Sequence, residues 1–309
     1  MSGAHRDKHV LVIGNCTIDI AFTVPRFPRP GETLLASART VALGGKGANQ
    51  AIVARRAGMA TTLAVPLGND GDGDWAVQQL VEEGLPDDGF LQTTAPSDQS
   101  ILYVTPDGEN CIVSSHAAAA CATPAWAEAT VAAARSESIL LIQGNLSLET
   151  TLAALATARG RGMLTIINPA PIQYAYDTLL PLADVVIANQ VECAEIGGDP
   201  DPIRAVAAMR RKGARDIVVT LGAGGARIST ADGDITVPAP AVDAIDTVGA
   251  GDVFCGIFTA CLARDSDYAR AAAAAVSAAA LSVTRRGTLS AFPSAQECAS
   301  ILARHGFTT

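Results

Sequence analysis

Six short runs of aliphatic and β-branched residues, Val10–Ile13, Thr61–Val65, Ile139–Ile142, Leu164–Ile167, Val185–Ala188 and Ile217–Leu221, recur along the chain with amphipathic helical patterns between them. Strand–helix–strand units close with right-handed crossovers, so the strands lie parallel and helices cover both faces of the sheet. The expected class is α/β, a three-layer sandwich around a mostly parallel central sheet, with functional groups gathered where the strands end. Two regions depart from the alternation. Asp19–Leu43 and Gln99–Ser115 each read as a pair of strands with turn signals, Pro28-Arg29-Pro30-Gly31 and Pro106-Asp107-Gly108, and no helix. They predict a small β-sheet lid drawn from about residues 16–43 and 98–116. A further hairpin is expected around Ala231-Asp232-Gly233-Asp234, and with no fixed-period repeat or dividing linker, residues 1–309 read as one domain.

The chain has 309 residues, 49% of them hydrophobic, with a mean hydropathy of +0.27, enough to bury a large core. A net charge of −9 and no long basic run argue against nucleic acid or an anionic membrane as partner. Seven scattered cysteines (Cys16, Cys111, Cys121, Cys193, Cys255, Cys261, Cys298) contain no Cys-x-x-Cys pair, which fits reduced thiols and a cytoplasmic protein. The polar start, Met1 to His9, leads into Val10–Ile13, too short for a signal-peptide core, and the small apolar stretch Ala271–Thr284 is too short to span a bilayer. It predicts a buried alanine-rich helix.

Two glycine-rich segments carry the chemistry. In Asp246-Thr247-Val248-Gly249-Ala250-Gly251-Asp252, glycines precede a run with helical spacing (Phe254, Ile257, Phe258, Cys261, Leu262), so Gly249, Ala250 and Gly251 offer free N–H groups to an anion at a helix start. A carboxylate, Asp252, sits beside that anion. Like charges repel, so Asp252 makes little sense for binding; it makes sense as the acceptor of a proton from an attacking hydroxyl. A plain turn with a capping aspartate is the competing reading. Far upstream, Gly44-Gly45-Lys46-Gly47-Ala48-Asn49-Gln50 opens another helix. Its order is neither that of a P-loop nor of a dinucleotide fold. Asn49 can donate and accept hydrogen bonds, as sugar hydroxyls require, whereas Lys46 only donates.

The two segments, in this order, resemble the paired signatures of the ribokinase-like (PfkB) carbohydrate kinases. Asn168-Pro169-Ala170-Pro171, Asn189-Gln190-Val191-Glu192, Thr220-Leu221-Gly222-Ala223-Gly224-Gly225 and Val283-Thr284-Arg285-Arg286-Gly287 resemble the family's internal landmarks, so the likeness spans nearly the whole chain. The wording of Gly44–Gln50, of Pro28–Thr33 and of Asp107-Gly108-Glu109-Asn110 looks most like the family's ribose kinases.

The resemblance implies an ATP-dependent kinase acting on a primary hydroxyl of a free sugar, ribose first, giving ribose 5-phosphate. It makes Asp252 the base and Gly249, Ala250 and Gly251 the anion hole. It assigns Asn189 and Glu192 to water around magnesium and the phosphates, and Thr220, Gly222 and Gly225 to the nucleotide. Asp19, Gly45, Lys46 and Asn49 match positions that bind sugar hydroxyls. Two of the sugar contacts depart from the family: its Asn-x-Asp is Thr17-Ile18-Asp19 here, and a ribose-contacting glutamate is Asn145. A potassium ion on main-chain carbonyls is implied at Asp246, Val248, Ser282, Gly287 and Ala291, where alanine stands in place of a frequent serine.

The lid strands carry apolar residues at alternating positions (Phe22, Val24, Leu34, Ala36, Ile101, Tyr103) that a thin sheet cannot bury on both sides, which predicts a homodimer through the lid. The alternatives are a kinase for a nucleoside, another pentose or a keto-sugar, set by the pocket around Thr17, Asn145 and His116, or a catalytically silent sugar or nucleotide sensor on the same fold. A phosphorylated acceptor would call for more Arg or Lys than Lys46 near the pocket, and a dehydrogenase fails for want of a glycine fingerprint at Gly14-Asn15-Cys16-Thr17.

Overall fold

A computed structural model describes residues 9–107, 109–135 and 137–308; Gly108 of the expected lid turn and residues 1–8 of the polar start lie outside them. The strands, in chain order, are β1 (Val10–Ile13), β2 (Thr17–Thr23), β3 (Ala38–Gly44), β4 (Thr61–Ala64), β5 (Pro66–Gly68), β6 (Leu91–Thr93) and β7 (Gln99–Val104). They continue with β8 (Asn110–Ser114), β9 (Ile139–Gln143), β10 (Leu164–Asn168), β11 (Val185–Asn189), β12 (Asp216–Thr220), β13 (Ala226–Thr230) and β14 (Gly233–Val237).

The main sheet has the order β14-β13-β12-β11-β10-β9-β1-β4. From β4 to β12 every pairing is parallel, and the β13–β14 hairpin, turning at Ala231-Asp232, extends the β12 edge antiparallel. This is the fold expected from the alternation, with the sixth strand placed one residue earlier than its apolar run. Strand pleating sends alternate residues to opposite sides. Val10, Val12, Ile139 and Leu141 belong to one apolar layer, and Leu11, Ile13, Leu140 and Ile142 to the other. Helices Lys46–Arg56, Ala250–Arg264 and Tyr268–Ser282 pack into the first layer. Helices Leu148–Gly160 and Pro202–Arg211 pack into the second. Tyr268–Ser282 contains the alanine-rich stretch and is buried as expected. Among the described residues no helix is long and apolar enough to cross a membrane.

The chain steps from β1 to β4 on one side and later returns to β9 on the other, so crossovers diverge at β1 and open a crevice at the strands' C-terminal ends. Above it stands the second sheet, β3-β2-β7-β8, which is the expected lid. Its β2–β3 connection turns at Arg29–Glu32, where Pro30 precedes Gly31 at φ 80°, the geometry a type II turn requires. Val24 is buried at 3% exposure, against the expectation of an open apolar face there, whereas Leu35 is 84% exposed. The short parallel pair β5–β6 has no counterpart in the sequence reading.

One close contact sets the geometry beneath the crevice. Where helix Ala250–Arg264 crosses helix Lys46–Arg56, a Cβ on Gly256 would stand 2.6 Å from Val53 Cβ and 2.8 Å from the carbonyl oxygen of Gln50. Replacing a helical glycine by alanine gains about 1 kcal/mol of propensity, and overpacking against backbone loses roughly 1–3 kcal/mol. The clash outweighs the gain. Gly256→Ala is expected to lower the melting temperature and the turnover together, and a thermal melt equal to the parent's would contradict this contact.

Candidate active site

Gly249 is the N-cap of helix Ala250–Arg264 and takes φ 77°, a left-handed conformation glycine tolerates. The first i→i−4 bond of the helix runs from Val253 N–H to Gly249 O at 2.9 Å. The N–H groups of Gly251 and Asp252 precede it and are free to face an anion, whereas Ala250 N–H, expected to be free as well, is turned onto Thr247 O at 3.3 Å by the tight turn. A Cβ added at Gly251 meets nothing within 4 Å, so this turn opens onto space. No side chain caps the helix, which removes the reading of Asp252 as a cap.

Asp252 is 5% exposed. Asn49 Nδ2 donates to its Oδ2 at 2.9 Å and Gln50 Nε2 to its Oδ1 at 3.0 Å. Lys46 Nζ lies 3.9 Å from Oδ1, and the negative charge of Asp252 holds the Lys46 ammonium above its ordinary pKa, against the effect of its own burial. All three donors sit on the first two turns of helix Lys46–Arg56, whose N-cap is Gly45 at φ 90°. The two glycine-rich segments, about two hundred residues apart, therefore meet at one carboxylate.

The residues expected on the sugar side gather beside it. Thr17 Oγ1 donates to Asp19 Oδ1 at 2.7 Å, and a Cβ on Gly44 would fall 2.1 Å from Asp19 Oδ2, so the carboxylate lies across the glycine at the end of β3. Burial pushes the Asp19 carboxyl above its ordinary pKa, opposed by hydrogen bonds from Thr17 and Ser100. Asn49 Oδ1 and Asn145 Oδ1 are buried with no hydrogen-bond partner among the described residues. A buried carbonyl oxygen left unpaired is costly, so both call for a donor such as a hydroxyl. His116, at the end of the lid, places Nε2 2.8 Å from the backbone oxygen of Asn145 and joins lid to pocket.

On the other flank, Asn189 and Glu192 form a capping box: Glu192 N–H to Asn189 Oδ1 and Asn189 N–H to Glu192 Oε2, each at 2.8 Å. One Glu192 oxygen is thus engaged by the backbone, and burial raises the carboxyl above its ordinary pKa. Thr220 ends β12, Gly222 opens the following turn, and Leu221 N–H closes it on Gly225 O at 2.8 Å. Asp246 accepts from Val248 N–H and Gly287 N–H, both at 3.0 Å, binding the loop before the anion hole to the loop after helix Tyr268–Ser282. Ser282 uses its hydroxyl on Ala279 O at 2.8 Å, and Ala291 is buried with its N–H on Thr288 O. The Ser282 carbonyl already accepts from Arg285 N–H at 3.1 Å, so a cation there would share that oxygen with the main chain. Among the described residues no three His, Cys, Asp or Glu side chains cluster as a metal site.

The sequence reading gave no role to Gln50, Gln143 or Asn168, although all three are buried in this site. Each has a visible signal: Gln50 follows Asn49 in the stretch Gly47–Ala54, otherwise small and apolar, and Gln143 and Asn168 are the polar ends of apolar strands.

A model of the pfkB family carbohydrate kinases matches residues 7–295. The chain belongs to that family. It is 30% identical over 302 residues to the ribokinase of Haemophilus influenzae, covering 96% of this chain and 98% of the relative. It is also 30% identical over 296 residues to the deoxyribokinase of Salmonella typhi, covering 93% and 96%. Among solved structures, the ribokinase of Thermotoga maritima superposes with a TM-score of 0.88 at 28% identity, covering 96% of this chain and 99% of that one. As a member of the family, this PfkB chain is an ATP-dependent sugar kinase with the ribokinase-like fold.

Proposed function

We propose that the enzyme moves the γ-phosphoryl group of ATP to the primary hydroxyl of a free pentose, ribose first, with Asp252 as the proton acceptor. The observation that carries this reading is the buried Asp252 carboxylate, held on both oxygens by amide donors at a helix start whose free N–H groups face open space. The sugar oxygen attacks the γ-phosphorus while Asp252 takes its proton, and the bond from that phosphorus to the β,γ-bridging oxygen breaks, releasing ADP. The transition state is loose, so alignment and charge stabilisation carry the rate more than basicity does. The N–H groups of Gly249 and Gly251, joined by that of Ala250 once it leaves its 3.3 Å bond to Thr247 O, receive the charge spreading over the phosphoryl oxygens.

Magnesium would be reached through water from Glu192, which keeps one carboxylate oxygen outside the capping box, and from Asn189; when bound it neutralises the phosphates. A potassium ion would rest on carbonyls of Asp246, Val248, Ser282, Gly287 and Ala291, the two loops that the Asp246 carboxylate ties together. Thr220, Gly222 and Gly225 would lie along the nucleotide. Asp19, Lys46, Asn49, the Gly45 backbone and Asn145 would hold the sugar, with Thr17 orienting Asp19.

Equal identity to a ribokinase and to a deoxyribokinase supports a second reading, a pentose with one hydroxyl fewer. Thr17 and Asn145 are the positions where the two would part, because a site with an unfilled acceptor rejects a substrate lacking the matching donor. The outer lid face supports a homodimer. Ile20, Val41, Ile101 and Val113 form one cross-strand row, with Phe22 and Tyr103 in the next, on the side opposite Asp19, and Val113 is 63% exposed.

Three outcomes are expected. ADP release from Mg-ATP over a panel of pentoses, hexoses and nucleosides is expected to be fastest with ribose; a faster deoxyribose would install the second reading, and no turnover on any would mark a sensor. Asp252→Asn should retain ATP binding and lose turnover by a factor on the order of 10² or more. Asp19 accepts from a hydroxyl in its ionised form, and burial raises its pKa. The KM for sugar should therefore rise on acidification at a pH above the usual carboxylate range, and Asp19→Asn should flatten that limb.

A further inference from the structure

We propose that Gln50 is the positioning residue for the catalytic carboxylate, an inference that rests on Asp252 being the proton acceptor. Gln50 is 0% exposed, so it cannot touch substrate. Its Nε2 donates to Asp252 Oδ1 and to Asn168 Oδ1, both at 3.0 Å, and its Oε1 accepts from Gln143 Nε2 at 2.9 Å. Asn168 Nδ2 in turn donates to the backbone oxygen of Ile187 at 2.9 Å.

The direction of this chain of bonds is set by chemistry, starting from its far end. A main-chain carbonyl can only accept, so Asn168 must present its NH2 to Ile187 and its oxygen to Gln50. Gln50 must then present its NH2 toward Asn168 and Asp252, which leaves its oxygen for Gln143. No amide in the chain can flip without setting oxygen against oxygen. Oδ1 of Asp252 therefore always faces a donor, with the Lys46 ammonium on the same oxygen at 3.9 Å. Oδ2, held by Asn49 alone, is left to take the proton. The chain anchors the carboxylate to β9, β10 and β11, three neighbouring strands, so its orientation is inherited from the sheet and not from the glycine turn that precedes it.

Gln50→Met keeps length and apolar bulk but loses both donors. It is expected to leave the KM of ATP and of sugar within about threefold while kcat falls by a factor on the order of 10–10², the scale of a misplaced reacting group. Gln50→Glu sets a carboxyl against Asp252. Two carboxylates this close share a proton. In its protonated form Glu donates to Oδ1 as the amide does, and when both ionise they repel. Its kcat is therefore expected to recover as pH falls, opposite to the trend of a general base. Thermal melts establish that both variants are folded, and Asp252→Asn is measured beside them. Collapse of Asp252→Asn together with a Gln50→Met kcat within twofold of the parent overturns the positioning role and leaves the base reading standing. A Gln50→Glu profile parallel to the parent's, with KM and kcat lost alike, also overturns it, because that is the behaviour of a merely structural residue. If Asp252→Asn itself retains its rate, the base reading falls and this inference with it.

Discussion

A carboxylate carried into an apolar layer must be met by donors, and that requirement shapes the centre of this enzyme. Asp252 lies on a helix whose neighbours Val253, Phe254 and Cys255 are all buried, so nearly every group around it is unable to solvate charge. The donors come from another helix, at Lys46, Asn49 and Gln50. They reach only because Gly256 lets the two helices cross with backbone close to side chain. A wider crossing would leave the carboxylate buried without partners, which is costlier than either a paired charge or no charge at all. Core packing and catalytic geometry are thus one constraint at this crossing.

The sheet provides the second half of the arrangement. Four neighbouring parallel strands end in a polar residue after an apolar run: Gln143 on β9, Asn168 on β10, Asn189 on β11 and Thr220 on β12. Parallel strands in register bring these ends to one edge of the molecule. Gln143 and Asn168, at the centre, are buried and bond to one another's partner, Gln50. Asn189 and Thr220, toward the β12 side, are more open and stand where the nucleotide is proposed to lie. One edge grades from structural amides to ligand-facing groups.

Much of this was readable in the residues. Period and run length mark the six parallel strands, because a strand covered on both faces has to be apolar throughout. The two glycine-rich segments mark the proposed anion hole and base, because backbone approach to an anion leaves glycine behind as its trace. Other features left no such trace. Gln50, Gln143 and Asn168 are ordinary polar letters until the fold brings them within 3.0 Å of each other or of Asp252. Gly256 reads as a weak point in a helix, and its meaning is a crossing about two hundred residues away in sequence. Val24 follows the lid pattern yet is buried at 3% exposure. The Asn189–Glu192 pair belongs to the family's pattern and is also a capping box, a local role that any helix start could account for.

The same distinction explains why the reaction is legible and the acceptor is not. The proposed phosphate side is built from main-chain N–H groups at a helix start, which depend on glycine and helix geometry and tolerate changes in side chains around them. The proposed sugar side is built from side chains, namely Asp19, Lys46, Asn49 and Asn145, whose hydrogen-bonding capacity changes with every substitution. Asn145 shows the effect. Its buried oxygen has no partner among the described residues, and an amide there offers one acceptor and one donor group where a carboxylate offers acceptors alone. On the proposed reading the pocket asks a sugar for a hydroxyl that donates at that point, and returns a donor through an NH2 that a carboxylate lacks. Which sugar meets that demand depends on where its hydroxyls fall relative to two oxygens, Asn49 Oδ1 and Asn145 Oδ1, fixed by the helix crossing and by the turn that follows β9. Chemistry that resides in the backbone is shared across the fold; discrimination resides in the few side chains that the backbone leaves free to vary.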